Sequence, residues 1–350
     1  LHTFCFLWSL LKVSFSTHPR SMISQVYWID GHLDLASMAV RGRDILTKST
    51  NSEEACITVP DLLDSPVRTF FGTIYTTHTN GAFGFTSSDD RDGAHRAGLE
   101  QLAVYDRLEE EGFITKQMHG LTVDDDLSML LVLEGADPIR NPDEVNWWRA
   151  QGLRAVGLTW SDGTRYAGGN RSLGPITDEG KELVSALDEA GIVHDISHLA
   201  DEGVEQLFDI ARGPIIASHS NSRLLLNSES QRNLRDDHAK ELLSRGGVIG
   251  LNLCTQFLAE PFDRKTHTAT IEDCVTHVLH FCALAGNNFQ VALGSDFDGG
   301  FTPKYLPIGV KHPSALHALA SALKDAGFTE DELNSFAHGA WQRVFNSVEC

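Results

Sequence analysis

The sequence predicts an α/β fold of the (β/α)8 TIM-barrel class. Eight short apolar runs recur along the chain, helical patterns separate them, and most of the runs contain no alternating polar residues. Continuous apolar runs are typical of strands that are buried on both faces of a parallel sheet. A length of 350 residues is compatible with one barrel of this kind.

The candidate strands begin at residue 27 and the last of them ends at residue 296. They are Tyr27–Asp34, Arg68–Thr76, Met129–Glu134, Arg154–Trp160, Ile192–His198, Pro214–His219, Val248–Leu253 and Gln290–Asp296. Strands that alternate with helices in this way favour a parallel sheet built from repeated strand–helix units.

Five segments have a helical pattern, and short polar or glycine signals bound most of them. They are Arg91–Glu111, Asp178–Ala190, Asp201–Ala211, Asp236–Ser244 and Ile271–Ala285. Thr177 is a candidate N-cap, and glycines follow at the predicted helix ends. The long stretches Arg41–Val67 and Ser161–Pro175 are predicted to form loops over the mouth of the barrel.

Composition excludes several classes of protein. Hydrophobic residues make up 41% of the chain and charged residues 22%, which excludes a disordered protein. The net charge of −20 would repel phosphate backbones, so we expect no nucleic-acid partner. The six cysteines include no C-x-x-C pair, which argues against a zinc ribbon and favours a reducing, cytoplasmic location.

The first 21 residues are predicted to be a non-native or disordered extension. The apolar run from Phe4 to Phe15 is too short to cross a bilayer and lacks the flanks of a signal peptide, although it leaves export open. We expect Met22 to be the true start and residues 22–350 to form one domain. No membrane anchor is expected.

Side chains that could bind metal occur where the predicted strands end. The first strand ends with His32 and Asp34. Four other strands each end with one such residue: Glu134 on the third, His198 on the fifth, His219 on the sixth and Asp296 on the eighth. Active sites of α/β barrels lie at this end of the strands.

The spacing of these residues would allow them to converge on metal ions. His32 and Asp34 are two residues apart, so they would share one face of a strand. His198 and His219 end consecutive strands, which lie about 4.8 Å apart. Glu134 has two oxygens and could bridge two cations. Each residue also has a purely structural interpretation, such as a satisfied buried histidine or an ion pair between Glu134 and Arg154.

Asp296 is a candidate general base, because its strand would lie beside the first strand in a closed barrel. A turn-forming role in the same segment is assigned to Asp298 instead.

In combination, these motifs resemble the membrane dipeptidase (renal dipeptidase) family of amidohydrolase-like metal barrels. DGHLD, LEG, DISH, SHSNSR, QRN-x-x-DD and GSDFDG occur in the family's order between Trp28 and Val348. The resemblance implies two zinc ions, one held by His32 and Asp34 and the other by His198 and His219, with Glu134 as the bridging ligand. It further implies that Asp296 is catalytic and that Arg232 binds the α-carboxylate of the substrate.

One position departs from the family pattern. The fourth strand ends in Trp160, where the family has a histidine that polarises the scissile carbonyl. An indole N–H can donate a hydrogen bond but cannot act as a base. We therefore expect Arg165 or Tyr166, in the glycine-rich loop that follows, to supply the missing donor and to bind substrate with Trp160. The alternative is that this loop is only a flexible lid.

These observations predict a zinc-dependent dipeptidase acting on small dipeptides, including L-Xaa-D-Xaa substrates, through a hydroxide that bridges the two metals. An N-acyl amino acid deacylase or a hydrolase of cyclic amides or lactones is the alternative that the altered loop favours. A non-catalytic metal- or peptide-binding barrel is a third interpretation. Members of the family are often dimers, so a homodimer is expected as well.

Overall fold

The computed structural model describes residues 26–49, 55–226, 228–259 and 268–348. The predictions about residues 1–21 therefore lie outside the described residues. Within the described part of the chain, no helix combines the length and the apolar composition that crossing a bilayer requires.

Eight parallel strands lie where the sequence predicts them. They are β1 (Trp28–Leu33), β2 (Val67–Tyr75), β4 (Ser128–Glu134), β5 (Leu153–Gly157), β6 (Val193–Asp195), β7 (Ile215–Ile216), β8 (Ile249–Leu251) and β9 (Val291–Leu293). A two-residue strand that the sequence did not predict, β3 (Thr115–Lys116), pairs with β4. The prediction of a mixed α/β fold with a parallel sheet is confirmed.

The sheet is curled and lies in two hydrogen-bonded parts. One part has the order β1-β2-β4-β5-β6-β7, and β8 pairs with β9 in the other. Single parallel bridges join the parts, one between Ala217 and Ile249 and one between Leu33 and Phe297. A cluster of buried side chains includes residues from or next to all eight strands, among them Ile29, Phe71 and Ala292.

Strands β6 and β7 are shorter than predicted, and a side chain takes over backbone hydrogen bonds where they end. The Asp195 carboxylate accepts from the backbone N–H groups of Ser197 and Ser218, each at 3.0 Å. Pairing between the strands therefore stops at Asp195. His198 and His219 consequently lie in the segments just beyond β6 and β7, not at the last positions of the strands.

The five predicted helices are confirmed to within one residue at each end. They are α3 (Arg91–Glu110), α5 (Asp178–Glu189), α6 (Asp201–Ile210), α7 (Asp236–Ser244) and α8 (Ile271–Ala285). The Thr177 side chain accepts from the N–H of Gly180 and caps α5 as predicted. The left-handed C-cap of α8, with φ of 70°, explains why glycine stands at Gly286.

Among the described residues, six further helices occur that the sequence analysis did not predict. They are α1 (Leu35–Val40), α2 (Val59–Leu63), α4 (Val145–Ala150), α9 (Leu316–Asp325), α10 (Glu330–Asn334) and α11 (Ala340–Ser347). Helix α11 carries Trp341, which is fully buried and donates its indole N–H to the carbonyl of Leu293 at 2.9 Å. Its ring lies against Phe71, with 5.1 Å between the ring centroids, so α11 covers the inner core.

Candidate metal centre and active site

Two histidines and a glutamate meet at the carboxyl ends of β4, β6 and β7. The Nε2 atoms of His198 and His219 are 3.1 Å apart. Glu134 Oε1 lies 2.9 Å from the first and 3.4 Å from the second. All three side chains are buried. The structure therefore brings together three of the side chains that the sequence indicated as metal ligands.

The other oxygen of Glu134 faces a second group of side chains. His32 Nε2 lies 3.6 Å from Glu134 Oε2, 3.7 Å from Asp34 Oδ2 and 4.0 Å from Asp296 Oδ1. The rings of His32 and His219 are stacked, with 3.7 Å between their centroids, so the two groups adjoin. The two oxygens of Glu134 thus face two adjoining groups of possible metal ligands.

The donor atoms of this cluster fit a metal ion. Within the described residues, His32 Nε2 and Asp34 Oδ1 are buried without a hydrogen-bond partner. A buried polar atom without a partner is costly, and an ion would satisfy both. Ligand atoms of His32, Glu134 and His219 lie within 4.8 Å of one another, and so do those of His32, Asp34 and Asp296. Imidazole nitrogens together with carboxylate oxygens suit Zn²⁺.

The charges of the cluster also correspond to a cation site. Burial opposes ionisation of Glu134, but the neighbouring imidazoles of His32, His198 and His219 hold its pKa well below the usual range. Burial lowers the pKa of His198 to about 4 and also lowers that of His219, with Arg232 adding to the effect. Neutral imidazoles beside an ionised carboxylate are the forms that bind metal.

Asp296 follows β9 and lies at the same end of the sheet. It has left-handed backbone geometry with φ of 61°, and Asn252 donates to its Oδ2 at 2.8 Å. Burial raises the pKa of this carboxyl to about 7. A group with this pKa can accept and release a proton near neutral pH.

Arg232 is buried beside the cluster. Its Nη1 donates to the Ser197 carbonyl at 3.1 Å and to Ser220 Oγ at 3.3 Å, and its Nη2 donates to the His219 carbonyl at 2.9 Å. A guanidinium has five N–H groups, so two are not used by these partners. Arg232 and Asp296 border one cavity of about 620 Å³, which also contacts Asp34, Glu134 and His198.

Comparison with protein families identifies the chain. Residues 17–350 match the model of the membrane dipeptidase family, which is peptidase family M19. This protein belongs to the membrane dipeptidase family.

Sequence relatives of this membrane dipeptidase family member include curated dipeptidases. An uncharacterised dipeptidase of Schizosaccharomyces pombe is 33% identical over 154 residues, which is 42% of this chain and 36% of that protein. Rat dipeptidase 3 is 26% identical over 274 residues, which is 75% of this chain and 54% of that protein. The chain thus spans about a third to a half of the length of these two relatives.

Two solved structures, of a metallopeptidase and of a probable dipeptidase, share the fold. A metallopeptidase from Rhodobacter sphaeroides, liganded with a phosphinate mimic of L-Ala-D-Ala, has a TM-score of 0.80 and 23% identity. That comparison covers 93% of this chain and all of the other. A probable dipeptidase from Pseudomonas aeruginosa also has a TM-score of 0.80, with 16% identity and coverage of 93% and 96%.

Trp160 borders the cavity, but the structure corrects the expectation for its two predicted neighbours. Arg165 Nη1 donates to Asp137 Oδ1 at 3.1 Å and Nη2 to the Asp137 carbonyl at 2.8 Å. The Tyr166 hydroxyl, which is fully buried, donates to the carbonyl of Ile139. Both side chains hold the loop against the segment after β4 and are absent from the cavity wall.

Several residues that the sequence analysis did not select also border the cavity, among them Tyr75, Asn170 and Arg171. The Tyr75 ring lies edge-on to Trp160 with 5.1 Å between centroids, and the Arg171 guanidinium lies 5.1 Å from the Trp160 ring centroid. Tyr75 could have been found from sequence, because it is the penultimate residue of the predicted second strand.

Proposed function

We propose that this protein is a zinc-dependent dipeptidase. The observation that supports the proposal most strongly is the position of Glu134, whose two oxygens face His198 and His219 on one side and His32 on the other. A carboxylate between two sets of donors is the arrangement that two adjacent cations require.

In this proposal His32 and Asp34 would hold one Zn²⁺, His198 and His219 would hold the other, and Glu134 would contribute one oxygen to each site. The zinc pair, when bound, supplies the acidity that turns a water into a nucleophile near neutral pH and the positive charge that stabilises the carbonyl oxygen. The unpartnered Nε2 of His32 and Oδ1 of Asp34 support this assignment.

Asp296 moves the proton. Its Oδ2 is oriented by Asn252, while Oδ1 faces the His32 side of the cluster. In the proposed reaction, Asp296 accepts the proton from the attacking water and passes it to the amine that leaves.

Arg232 selects substrates with a free carboxylate near the scissile bond. Three of its N–H groups are used by Ser197, Ser220 and His219, and these contacts hold the guanidinium in place. One N–H on Nε and one on Nη2 are left for the substrate carboxylate, as a planar guanidinium binds carboxylates through two parallel hydrogen bonds.

Tyr75 takes over the hydrogen bond that the family's histidine would give to the scissile carbonyl. Among the described residues, its hydroxyl has no hydrogen-bond partner, and the side chain borders the same cavity as Glu134. Burial, together with the nearby Glu134 and Asp34 carboxylates, raises the pKa of this phenol, so it stays a donor.

We further propose that residues 22–350 form one closed (β/α)8 barrel. The bridges Ala217–Ile249 and Leu33–Phe297 support closure, because they lie at both junctions between the two parts of the sheet. The expected homodimer and the expected cytoplasmic location stay predictions.

An N-acyl amino acid deacylase, or a hydrolase of cyclic amides or lactones, would use the same site with another substrate. Trp160 favours this second candidate, because it stands in the cavity wall beside His198 where the family has a histidine, with 6.1 Å between the ring centroids. An N-acyl amino acid would still offer a carboxylate to Arg232.

Turnover of L,L- and L,D-dipeptides, beside the matching N-acetyl amino acids, tests these proposals. The L,D compounds are included because the R. sphaeroides relative is liganded with a mimic of L-Ala-D-Ala. We expect dipeptide cleavage that a chelator abolishes and Zn²⁺ restores. Glu134→Gln should be inactive, whereas His280→Gln, which removes a contact with Asp236 on the outer helices, should match wild type. Folded, zinc-loaded protein that cleaves only the N-acetyl compounds would replace the dipeptidase proposal with the deacylase.

A further inference from the structure

The glycine-rich segment 161–175 contacts the side of His198 that faces away from Glu134. His198 Nδ1 lies 2.9 Å from Asn170 Oδ1 and 3.1 Å from Ser161 Oγ. Ser161 also donates to Asn170 Oδ1, at 3.1 Å. His198 and Ser161 are buried, and Asn170 is partly buried.

The backbone holds Asn170 in this position. Its N–H donates to the His198 carbonyl at 2.9 Å, and Gly169 forms a bridge with Leu199. The N–H groups of Arg171 and Ser172 both donate to the Ser161 carbonyl, at 2.9 and 3.0 Å. Residues on both sides of Asn170 are therefore anchored, which places its side chain next to His198.

Glycine is required where this turn packs most tightly. A Cβ on Gly169 would overlap the carbonyl oxygens of Trp160 and Ser161, and a Cβ on Gly168 would overlap the backbone of Gly174. The glycines thus let the chain approach itself closely enough to place Asn170 beside the imidazole. This geometry argues against the interpretation of the segment as only a flexible lid.

The contact defines which nitrogen of His198 carries a proton. An amide oxygen can only accept, so Nδ1 must be the protonated nitrogen and Nε2 keeps its lone pair toward Glu134. Histidines that bind metal commonly donate their other N–H to an oxygen in this way, which fixes the ring and the tautomer. His219 has a different partner, the hydroxyl of Ser218 at 2.7 Å, which in turn contacts Asp195.

We propose that Asn170, supported by Ser161, is a positioning residue that holds His198 in the orientation and tautomer needed to bind metal. The inference rests on the proposed function, because it assumes that His198 is a ligand. It assigns a role to the segment that follows Trp160, in which this sequence departs from the family pattern. That segment would build part of the metal site from its outer side.

Zinc affinity, measured by competition with a chromogenic chelator, tests the proposal without any substrate. Asn170→Ala should weaken the affinity of the His198 site on the order of 10- to 100-fold, and Asn170→Asp should restore it, since a carboxylate also accepts from Nδ1. The visible spectrum of the Co²⁺-substituted protein should change in the alanine variant and return in the aspartate variant. Leu173→Ala is the matched control, because this exposed side chain lies in the same loop.

The outcomes separate this inference from the proposed function. An alanine variant with wild-type zinc affinity and an unchanged Co²⁺ spectrum would refute the role of Asn170, whatever the turnover. Wild-type protein that binds two zinc ions but cleaves no dipeptide would refute the dipeptidase proposal and leave the role of Asn170 standing. If the alanine variant does not fold, the zinc affinities of Ser161→Ala and Asn170→Asp are measured instead. The proposal would be overturned if Ser161→Ala bound zinc as tightly as wild type and Asn170→Asp bound it tenfold more weakly.

Discussion

Tyr75 and Glu134 are direct register partners at the ends of the adjacent parallel strands β2 and β4. Their side chains therefore project from neighbouring positions, and both border the same cavity. The Tyr75 ring is fixed between Phe83 and Trp160, with 5.4 and 5.1 Å between ring centroids. The phenol of Tyr75 is thus held between two aromatic rings on the strand next to that of the proposed bridging ligand.

Removing the Tyr75 hydroxyl should slow catalysis. If it stabilises negative charge on the carbonyl oxygen, Tyr75→Phe should lower kcat on the order of 100- to 1000-fold and change KM little. Steady-state kinetics with the best dipeptide checks this. Tyr166→Phe is the control, since its hydroxyl contacts Ile139 away from the cavity, and it should retain near-normal turnover. Equal losses in both variants would mean that Tyr75 only supports the packing.

Arg232 should determine the preference for a free carboxylate. Wild-type protein should cleave a dipeptide faster than its C-terminal amide, because only the free acid accepts two charge-assisted hydrogen bonds. In Arg232→Lys we expect kcat/KM for the free dipeptide to fall by about 10- to 100-fold, equivalent to about 1.5–3 kcal/mol. The amide should be affected far less. A variant that still discriminates the two compounds as wild type does would assign carboxylate binding to another residue.

Asp298 should stabilise the segment between α1 and α2. Its carboxylate accepts from the backbone N–H groups of Cys56 and Ile57, each at 3.0 Å, and from Arg43. Asp298→Ala should reduce the free energy of unfolding by about 3 kcal/mol, because these buried donors lose their acceptor.

Asp298→Asn should cost less than the alanine substitution, because asparagine keeps an acceptor and tolerates the φ of 66° found here. Denaturant unfolding measures both values. Equal values for the two variants would show that the carboxylate contacts contribute little.

The contribution of Asp188 to stability should depend on pH. Burial opposes its ionisation, but His194 and the N–H groups of Arg212 and Gly213 outweigh burial and lower its pKa from 3.8 to about 2. A folded-state pKa below the unfolded value stabilises the protein above about pH 4, and this stabilisation is lost as pH falls toward 2.

Thermal unfolding of wild type and Asp188→Asn between pH 2 and 7 checks this expectation. The variant should be clearly less stable at pH 7, and the difference should shrink between pH 4 and 2. Asp209→Asn, on the exposed face of α6, should show no such trend. A difference that stays constant with pH would contradict the assignment.

The positions of the strands could be predicted from sequence, but their ends could not. Continuous apolar runs mark strands buried on both faces, and all eight lie where predicted. The point at which pairing stops depends on contacts between distant residues, such as Asp195 with the N–H of Ser218. Periodicity within one segment carries no information about such contacts.

The candidate site, like the sheet, could be predicted from sequence only in part. Its acidic and imidazole side chains follow strands whose ends meet, so their proximity could be inferred from the strand order. The loop after Trp160 could not be read in this way, because glycine-rich turns have no periodic face. In this loop, the Arg165 side chain points away from the cavity to the buried Asp137, whereas the Asn170 side chain contacts His198.

The buried guanidinium of Arg232 has a kinetic consequence in a molecule of net charge −20. A dianion would meet long-range repulsion before it could reach the cavity that Arg232 borders. A zwitterion, which carries no net charge, approaches without that penalty and still presents a carboxylate to Arg232. The association rate constant of a zwitterionic substrate should therefore be similar at low and at high salt concentration.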